Sequence, residues 1–92
     1  MSEFLVEITL TRPASISDAD WANLLEKEAV RGREHRSRGV INRIWRVPGT
    51  RQNIGIWSAR DATQLHTEIS SLPMFDYMTI HVRPLAEHYL EA

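Results

Sequence analysis

The 92-residue sequence contains no cysteine. This absence excludes disulfides, thiolate nucleophiles and cysteine-ligated metals, and it favours a cytoplasmic location. Its four glycines are scattered among turns and packing points, so the sequence has no glycine-rich phosphate loop. No apolar run approaches membrane-spanning length, and the stretch Phe4–Leu10 is too short for a secretory signal. We therefore expect a soluble cytoplasmic protein.

A surplus of charge of one sign is also lacking, because eleven basic residues stand against twelve acidic ones and the formal net charge is −1. Without a global field, neither nucleic acid nor an anionic membrane is expected as a partner. The four histidines, at positions 35, 66, 81 and 88, lack metal-ligand spacing. We expect no metal and no cofactor. A chain this short builds one core, so residues 1–92 are predicted to form a single domain.

What is present is a regular succession of strand and helix patterns. The first predicted helix begins at Ser17 and ends at Gly39, and Ser58 with Asp61 offers the start of a second helix that Pro73 ends. Alternating apolar positions predict strands at residues 3–11, 40–47, 53–58 and 77–83. This order predicts an α+β, ferredoxin-like βαββαβ fold, with both helices on one face of a four-stranded antiparallel sheet.

The same alternation assigns side chains to the two faces of the sheet. The face under the helices is expected to carry Phe4, Val6, Ile8, Trp45, Val47, Ile54, Ile56, Met78, Ile80 and Val82. The opposite face is expected to carry Leu5, Glu7, Ile44, Arg46, Asn53, Trp57, Thr79, His81 and Arg83. Because this second face mixes large apolar side chains with charges, it suits a wet subunit interface. We expect partner subunits to cover at least part of it.

Glu28 fits the apolar pattern least. The 3.6-residue period places it on one helix stripe with Trp21, Leu24, Leu25, Gly32 and His35. A carboxylate in this position is either desolvated, which raises its pKa, or held by an arginine. A desolvated carboxylate with a pKa near neutrality suits the removal of a proton next to a carbonyl. Alternatively, a slight rotation of the helix leaves Glu28 half exposed and paired to Arg31 or Lys27.

Two further groups of residues are candidates for binding. Gly32 opens space between helix and sheet, so His35 one turn beyond it lines a small polar pocket; alternatively, Gly32 only permits close packing and His35 is solvated at a frayed helix end. Arg46, beside Trp45 and with Asn53 on the neighbouring strand, forms an acceptor site for a carboxylate or lactone oxygen. An interface salt-bridge network is the alternative reading of these strand residues.

Three stretches resemble the muconolactone isomerase family. They are the opening EFLVEITLTRP, the segment Gly39–Gly49 with its IWRV core, and LPMFDYM at residues 72–78. The resemblance covers nearly the whole chain and implies small ferredoxin-like subunits in rings of ten. The implied activity is that of a cofactor-independent isomerase of aromatic-compound catabolism, which transposes a C=C bond by converting muconolactone to the 3-oxoadipate enol-lactone. Relatives also eliminate chloride from a chlorinated lactone.

The resemblance also implies site residues. Glu28 stands at the position of the family's first-helix glutamate and is the candidate for moving the proton. Tyr77 either contacts substrate or only packs, with its hydroxyl capping a backbone group. The candidates for orienting the substrate are Arg46, Asn53, Tyr77 and His88 from the resemblance, together with His35 from the helix stripe.

The chain departs from the family pattern at three instructive positions. Leu25 and Ala29 stand where lysines are common, and Asp76 replaces a usual proline. Loss of cations near Glu28 alters the charge balance of the carboxylate and of any anionic substrate. Two alternatives therefore stay open on the same fold: a non-catalytic oligomeric ligand-binding protein, and a small ferredoxin-like monooxygenase.

Overall fold

Four antiparallel strands form the sheet of this fold. In the computed structural model, which describes residues 1–91, they are β1 (Ser2–Leu10), β2 (Ile41–Arg46), β3 (Gln52–Ala59) and β4 (Met78–Leu85). Their order across the sheet is β2-β3-β1-β4, and every neighbouring pair is antiparallel. With a helix after β1 and another after β3, the predicted α+β ferredoxin-like fold is confirmed. Ala92, the last residue of the predicted domain, lies outside the described residues.

Two helices, α1 (Asp18–Ser37) and α2 (Ala62–Ser70), begin at side-chain caps. Ser17 Oγ accepts a hydrogen bond from the Asp20 amide at 3.1 Å, which confirms the predicted start of α1. Asp61 caps α2 in the same way, whereas Ser58, the other residue proposed for that start, lies within β3. Within residues 1–91, no helix is both long and apolar enough to cross a membrane.

Short irregular segments complete the path of the chain. Gly39 follows α1 with a φ of +75°, a left-handed conformation that glycine adopts without strain and that ends the helix. One 3-10 turn, Phe75–Tyr77, links α2 to β4, and another, Tyr89–Glu91, follows β4. The hydrophobic core lies between the helices and one face of the sheet. Its buried members include Phe4, Val6, Ile8, Leu65, Ile69 and Leu72.

The predicted orientation of β3 is wrong. In the pairing of β1 with β3, the buried Phe4 lies directly opposite Trp57. Directly opposed residues of antiparallel strands share a face, so alternate residues from Asn53 to Trp57 point towards the helices. Ile54 and Ile56, which were expected there, lie on the outer face. The predicted orientation followed the two isoleucines, but the packing of a larger indole under the helices decides the register.

A β-bulge reverses the predicted orientation of β2 as well. Ile41 is buried under the helices, and the register then shifts between Ile41 and Arg43. Beyond this shift, Ile44 and Arg46 share the helix-facing side with their partners on β3, whereas Trp45 faces outward. Arg46 and Asn53, predicted on the outer face, therefore lie on the same side of the sheet as α1.

Candidate active site

α1 turns one stripe of side chains inward. Trp21 and His35 are buried, and Leu24 and Glu28 are partly buried. The predicted stripe is thus confirmed, with the exception of Leu25, which is 43% exposed. A carboxylate and an imidazole therefore belong to the largely apolar interior face of this helix.

A row of polar contacts joins this side of α1 to the C-terminal part of α2 and the loop after it. We call these contacts the α1–α2 seam. They are the hydrogen bonds from the Met74 amide to Glu28 Oε1 (2.9 Å), from Arg31 Nη2 to Ser71 Oγ (3.1 Å) and from His35 Nε2 to the Glu68 carbonyl (2.8 Å), and the ion pair between Arg38 and Glu68 (2.9 Å). The seam fixes the rotation of α1 about its axis and, with it, the direction in which Glu28 points.

Glu28 is anchored at one carboxylate oxygen, and its Oε2 makes no hydrogen bond within residues 1–91. Burial raises the pKa of the Glu28 carboxyl above its ordinary value of 4.5, although the Met74 amide and the charge of His35 act in the opposite direction. The alternative pairing with Arg31 does not occur, since Arg31 contacts Ser71 and, at 2.7 Å, Glu34. A partly desolvated carboxylate with one free oxygen has the properties of a general base.

His35 is fully buried, so the alternative in which it is solvated at a frayed helix end is wrong. Because Nε2 faces a carbonyl oxygen, it must carry a proton and donate the hydrogen bond. Nδ1 is buried and has no hydrogen-bond partner within residues 1–91. The imidazole also lies edge-on to Trp57, with ring centroids 5.7 Å apart and an interplanar angle of 88°.

Two more buried polar atoms lack partners on β3, Asn53 Oδ1 and Trp57 Nε1, counting residues 1–91 only. The indole leans along the strand over Gly55, since a Cβ added to Gly55 would lie 3.2 Å from Trp57 Nε1. Buried polar atoms in folded proteins nearly always have a partner. His35 Nδ1, Asn53 Oδ1 and Trp57 Nε1, all on the helix side of the sheet, are therefore each left for a polar ligand or water.

Trp57 and Gly55 are candidate site residues that sequence reasoning missed. Both belong to a short apolar strand whose predicted buried face is defined by Ile54 and Ile56. One signal was available, because a glycine inside a strand pattern often marks a bulge or a close approach. The structure shows both, since the bulged strand β2 brings the Arg43 carbonyl to 2.9 Å from the position of a Gly55 Cβ.

Arg46 lies directly opposite Asn53 on the hairpin of β2 and β3. Although they face the side of the helices, Arg46 and its neighbour Ile44 are exposed, so α1 leaves this part of the sheet uncovered. The Arg46 side chain makes no hydrogen bond or ion pair within the described part of the chain. A guanidinium in this state has all its donors available for a carboxylate, from a ligand or from another subunit.

The other two candidates, Tyr77 and His88, make no hydrogen bond to Glu28 within residues 1–91. Tyr77 packs edge to face against Trp21, with ring centroids 5.9 Å apart, at the N-terminal end of α1. His88 lies in the exposed tail after β4, stacks on Tyr89 and accepts a hydrogen bond from the Leu90 amide at 3.1 Å. Within one chain, the structure brings His35, Arg46 and Asn53 to the same side of the sheet as Glu28, but not His88.

A separate groove of 530 Å³ lies between α2 and β4. Its walls are apolar, with Leu65, Phe75 and Val82 among them, and His66 is its one titratable side chain. Lacking a carboxylate, this groove offers no equivalent of Glu28 for removing a proton from carbon. Across residues 1–91, no three histidine, aspartate or glutamate side chains come together in a group that could hold a metal ion.

Known proteins share this arrangement of strands and helices. The sequence model of the family described as Muconolactone delta-isomerase matches residues 2–91. The chain belongs to the muconolactone delta-isomerase family. It is 32% identical over 85 residues to Muconolactone Delta-isomerase 2 of Acinetobacter lwoffii, covering 92% of this chain and 88% of that protein. It is also 32% identical to the Muconolactone Delta-isomerase of Cupriavidus pinatubonensis, covering 92% of each.

A solved structure agrees with the sequence relatives. The crystal structure of a muconolactone isomerase superposes with a TM-score of 0.88 at 26% identity, covering 95% of this chain and 91% of that one. The resemblance seen in the sequence is therefore confirmed. As a muconolactone delta-isomerase family member, the chain is an isomerase of aromatic-compound catabolism that transposes a carbon–carbon double bond.

Proposed function

We propose that this family member is a cofactor-independent isomerase that shifts a proton within a small unsaturated lactone of the muconolactone type, with Glu28 as the proton carrier. The observation that carries the proposal is the setting of Glu28. Its carboxylate is anchored at one oxygen by the Met74 amide, is free at the other, and has a pKa raised by burial. The names of the relatives supply the substrate class.

In the proposed reaction, Glu28 removes a proton from a ring carbon that is acidic because it is conjugated with the lactone carbonyl. The electron pair left behind delocalises towards the carbonyl oxygen. The Glu28 carboxyl then returns the proton at a different carbon, so the double bond moves while the composition of the substrate stays the same. A raised pKa aids both halves, because a stronger base removes the proton more readily and a neutral carboxyl stores it.

Substrate orientation falls to polar groups around this carboxylate. Arg46 is suited to the carboxylate of the substrate because its guanidinium has no protein partner within residues 1–91, and Asn53 opposite it supplies an amide. We assign His35 to the inner wall of the site. Tyr77 remains a candidate for binding the substrate because it packs near Trp21. His88 remains a candidate only for the site of a neighbouring subunit, which the tail after β4 would have to reach.

The test compares Glu28→Gln with the matched control Glu26→Gln, which removes an exposed carboxylate from the same helix. With muconolactone and its chloro- and methyl- analogues, formation of the enol-lactone is followed spectroscopically. We expect Glu28→Gln to lower kcat by about 10²- to 10⁴-fold, the usual contribution of a general acid–base group, and Glu26→Gln to leave it unchanged. Wild-type kinetics in a folded Glu28→Gln protein would refute the role of Glu28.

The pH dependence of kcat/KM adds a second readout. Because the base must be ionised, the rate should rise with pH through a pKa above 4.5, and this limb should be absent in Glu28→Gln. Saturable binding of muconolactone without turnover by the wild-type protein would instead favour the ligand-binding alternative. Family membership favours the isomerase over the monooxygenase. Oxygen uptake by the protein in the presence of the same lactones would instead indicate a monooxygenase.

We also propose that this chain acts as a homo-oligomer, with ten subunits as the resemblance implies. Trp45, Ile54 and Ile56 lie on the outer face of the sheet together with Leu5, which makes that face more apolar than the sequence predicted. Trp45 is exposed and the other three are partly exposed, and apolar patches of this kind suit subunit interfaces. Sedimentation velocity of the wild type and of Ile56→Lys tests this: the variant should dissociate, and a monomeric wild type would contradict the proposal.

A further inference from the structure

Trp57 holds a hydrogen-bond donor in an unusual state. The side chain is 1% exposed, and its Nε1 has no acceptor within residues 1–91. A buried N–H without an acceptor has lost its hydrogen bond to water, and no protein hydrogen bond replaces it. Such unpartnered donors are rare in folded proteins outside functional sites. Nε1 lies over Gly55, on the helix side of the sheet that Glu28 also faces.

This donor is held rigidly. On one side the indole meets the edge of His35, whose own orientation is fixed by the hydrogen bond to the Glu68 carbonyl. On the other side it rests over Gly55, where any larger residue would displace it. A donor fixed in advance requires no reorganisation when charge appears next to it, and this property makes such groups effective in stabilising transition states.

We propose that the indole N–H of Trp57 donates a hydrogen bond to the lactone carbonyl oxygen of the substrate, on which negative charge develops when Glu28 removes the proton. The inference rests on the proposed function and adds a catalytic residue to it. Asn53, which lies about 7 Å along β3 from the Gly55 beneath Nε1, and Arg46 opposite Asn53 are left to bind the permanently charged carboxylate of the substrate.

The division of roles follows from exposure. Arg46 is exposed and charged, so it can meet a carboxylate without complete desolvation of either group. Trp57 is neutral and buried, and a permanent anion beside it would lose its hydration for a single neutral hydrogen bond. An oxygen that is only weakly polar in the ground state and becomes anionic in the transition state fits this donor better.

The first test is Trp57→Phe, which removes the N–H but keeps an aromatic ring beside His35. We expect kcat for muconolactone to fall about 100-fold, as for the loss of one oxyanion donor, with KM changed much less. Thr67→Val, which removes an exposed hydroxyl donor from α2, is the control and should retain wild-type kcat. A folded Trp57→Phe protein with kcat within about threefold of wild type would overturn the assignment.

A second measurement leaves Trp57 intact. In the Glu28→Gln protein, muconolactone should bind without turnover, and the three indole N–H signals can be followed by ¹H–¹⁵N NMR and assigned with single Trp→Phe variants. The Trp57 signal should move downfield on binding, and an unmoved signal at saturation refutes the contact. Absence of turnover in the wild type overturns the proposed function and this assignment together, whereas normal turnover by Trp57→Phe overturns the assignment alone.

Discussion

Replacing Glu28 by glutamine should make the protein more stable at neutral pH. Burial raises the pKa of this carboxyl in the folded state, so ionising it costs more free energy there than in the unfolded chain. The stabilisation associated with the protonated form is complete below the unfolded value of 4.5 and is lost as the pH rises through the higher folded pKa. A glutamine never ionises and therefore avoids this loss.

Burial, and the opposing effects of the Met74 amide and His35, set the size of the difference. The Met74 amide donates to the carboxylate at 2.9 Å, and a charged acceptor strengthens that bond, which favours the ionised form. Glutamine retains an oxygen for the same amide but gives up the charge. Burial acts against the ionised form and is the larger effect. Because Glu28 keeps part of its hydration, the difference is moderate, but each 1 kcal/mol shifts Tm by about 4–8 °C in a domain of this size.

Thermal unfolding from pH 4 to pH 8, at one protein concentration, measures the effect. We expect the Tm of Glu28→Gln to exceed that of wild type at pH 7 and the excess to shrink towards pH 4, while the control Glu26→Gln follows wild type. A Glu28→Gln protein that is less stable than wild type at pH 7 and equal to it at pH 4 would show that the Met74 and His35 interactions outweigh burial. The reasoning about Glu28 as a strengthened base would then be wrong.

Two further predictions concern the hairpin and the glycines. Arg46→Ala should raise KM for muconolactone about tenfold or more, the effect of losing a charged hydrogen bond, with Arg60→Ala as the control; equal KM values in the two variants would remove Arg46 from the site. Gly55→Ala should destabilise the fold by about 1–3 kcal/mol, because the new Cβ meets a backbone carbonyl at 2.9 Å. Gly32→Ala, whose Cβ meets nothing within 4 Å, should be neutral or stabilising by about 0.5–1 kcal/mol in thermal unfolding; the reverse order of these two variants would contradict the packing described.

The sequence predicts the order and type of the elements well because each depends on local signals. The period of α1 and the cap at Ser17 need no knowledge of the rest of the chain, and both are confirmed. The faces of β2 and β3 depend on register, which is set by the partner strand. A bulge between Ile41 and Arg43 leaves no trace in an alternating pattern, yet it moves Arg46 to the opposite side of the sheet.

The residues of the candidate site also differ in whether local sequence signals identify them. Glu28 could be found from sequence because a carboxylate interrupts an apolar stripe. Trp57 could not, because the strand alternation places it on the outer face, and only its burial and its unpartnered Nε1 in the fold distinguish it. The contacts of the α1–α2 seam could not be predicted from the sequence either, because they join residues 30 to 46 positions apart in the chain.

The departures at Leu25 and Ala29 gain a physical meaning from the position of Glu28. Both residues are exposed on α1, within one turn of Glu28, where the resemblance leads one to expect lysines. Cations there would lower the pKa of the carboxyl, but within residues 1–91 only the Met74 amide and His35 oppose the effect of burial. Under the proposed function, these substitutions would strengthen Glu28 as a base and leave Arg46 a larger share in attracting an anionic substrate. In Leu25→Lys, the rising limb of the pH–rate profile should accordingly move to lower pH. A limb that stays in place or moves to higher pH would show that the substitutions at positions 25 and 29 do not act through the pKa of Glu28.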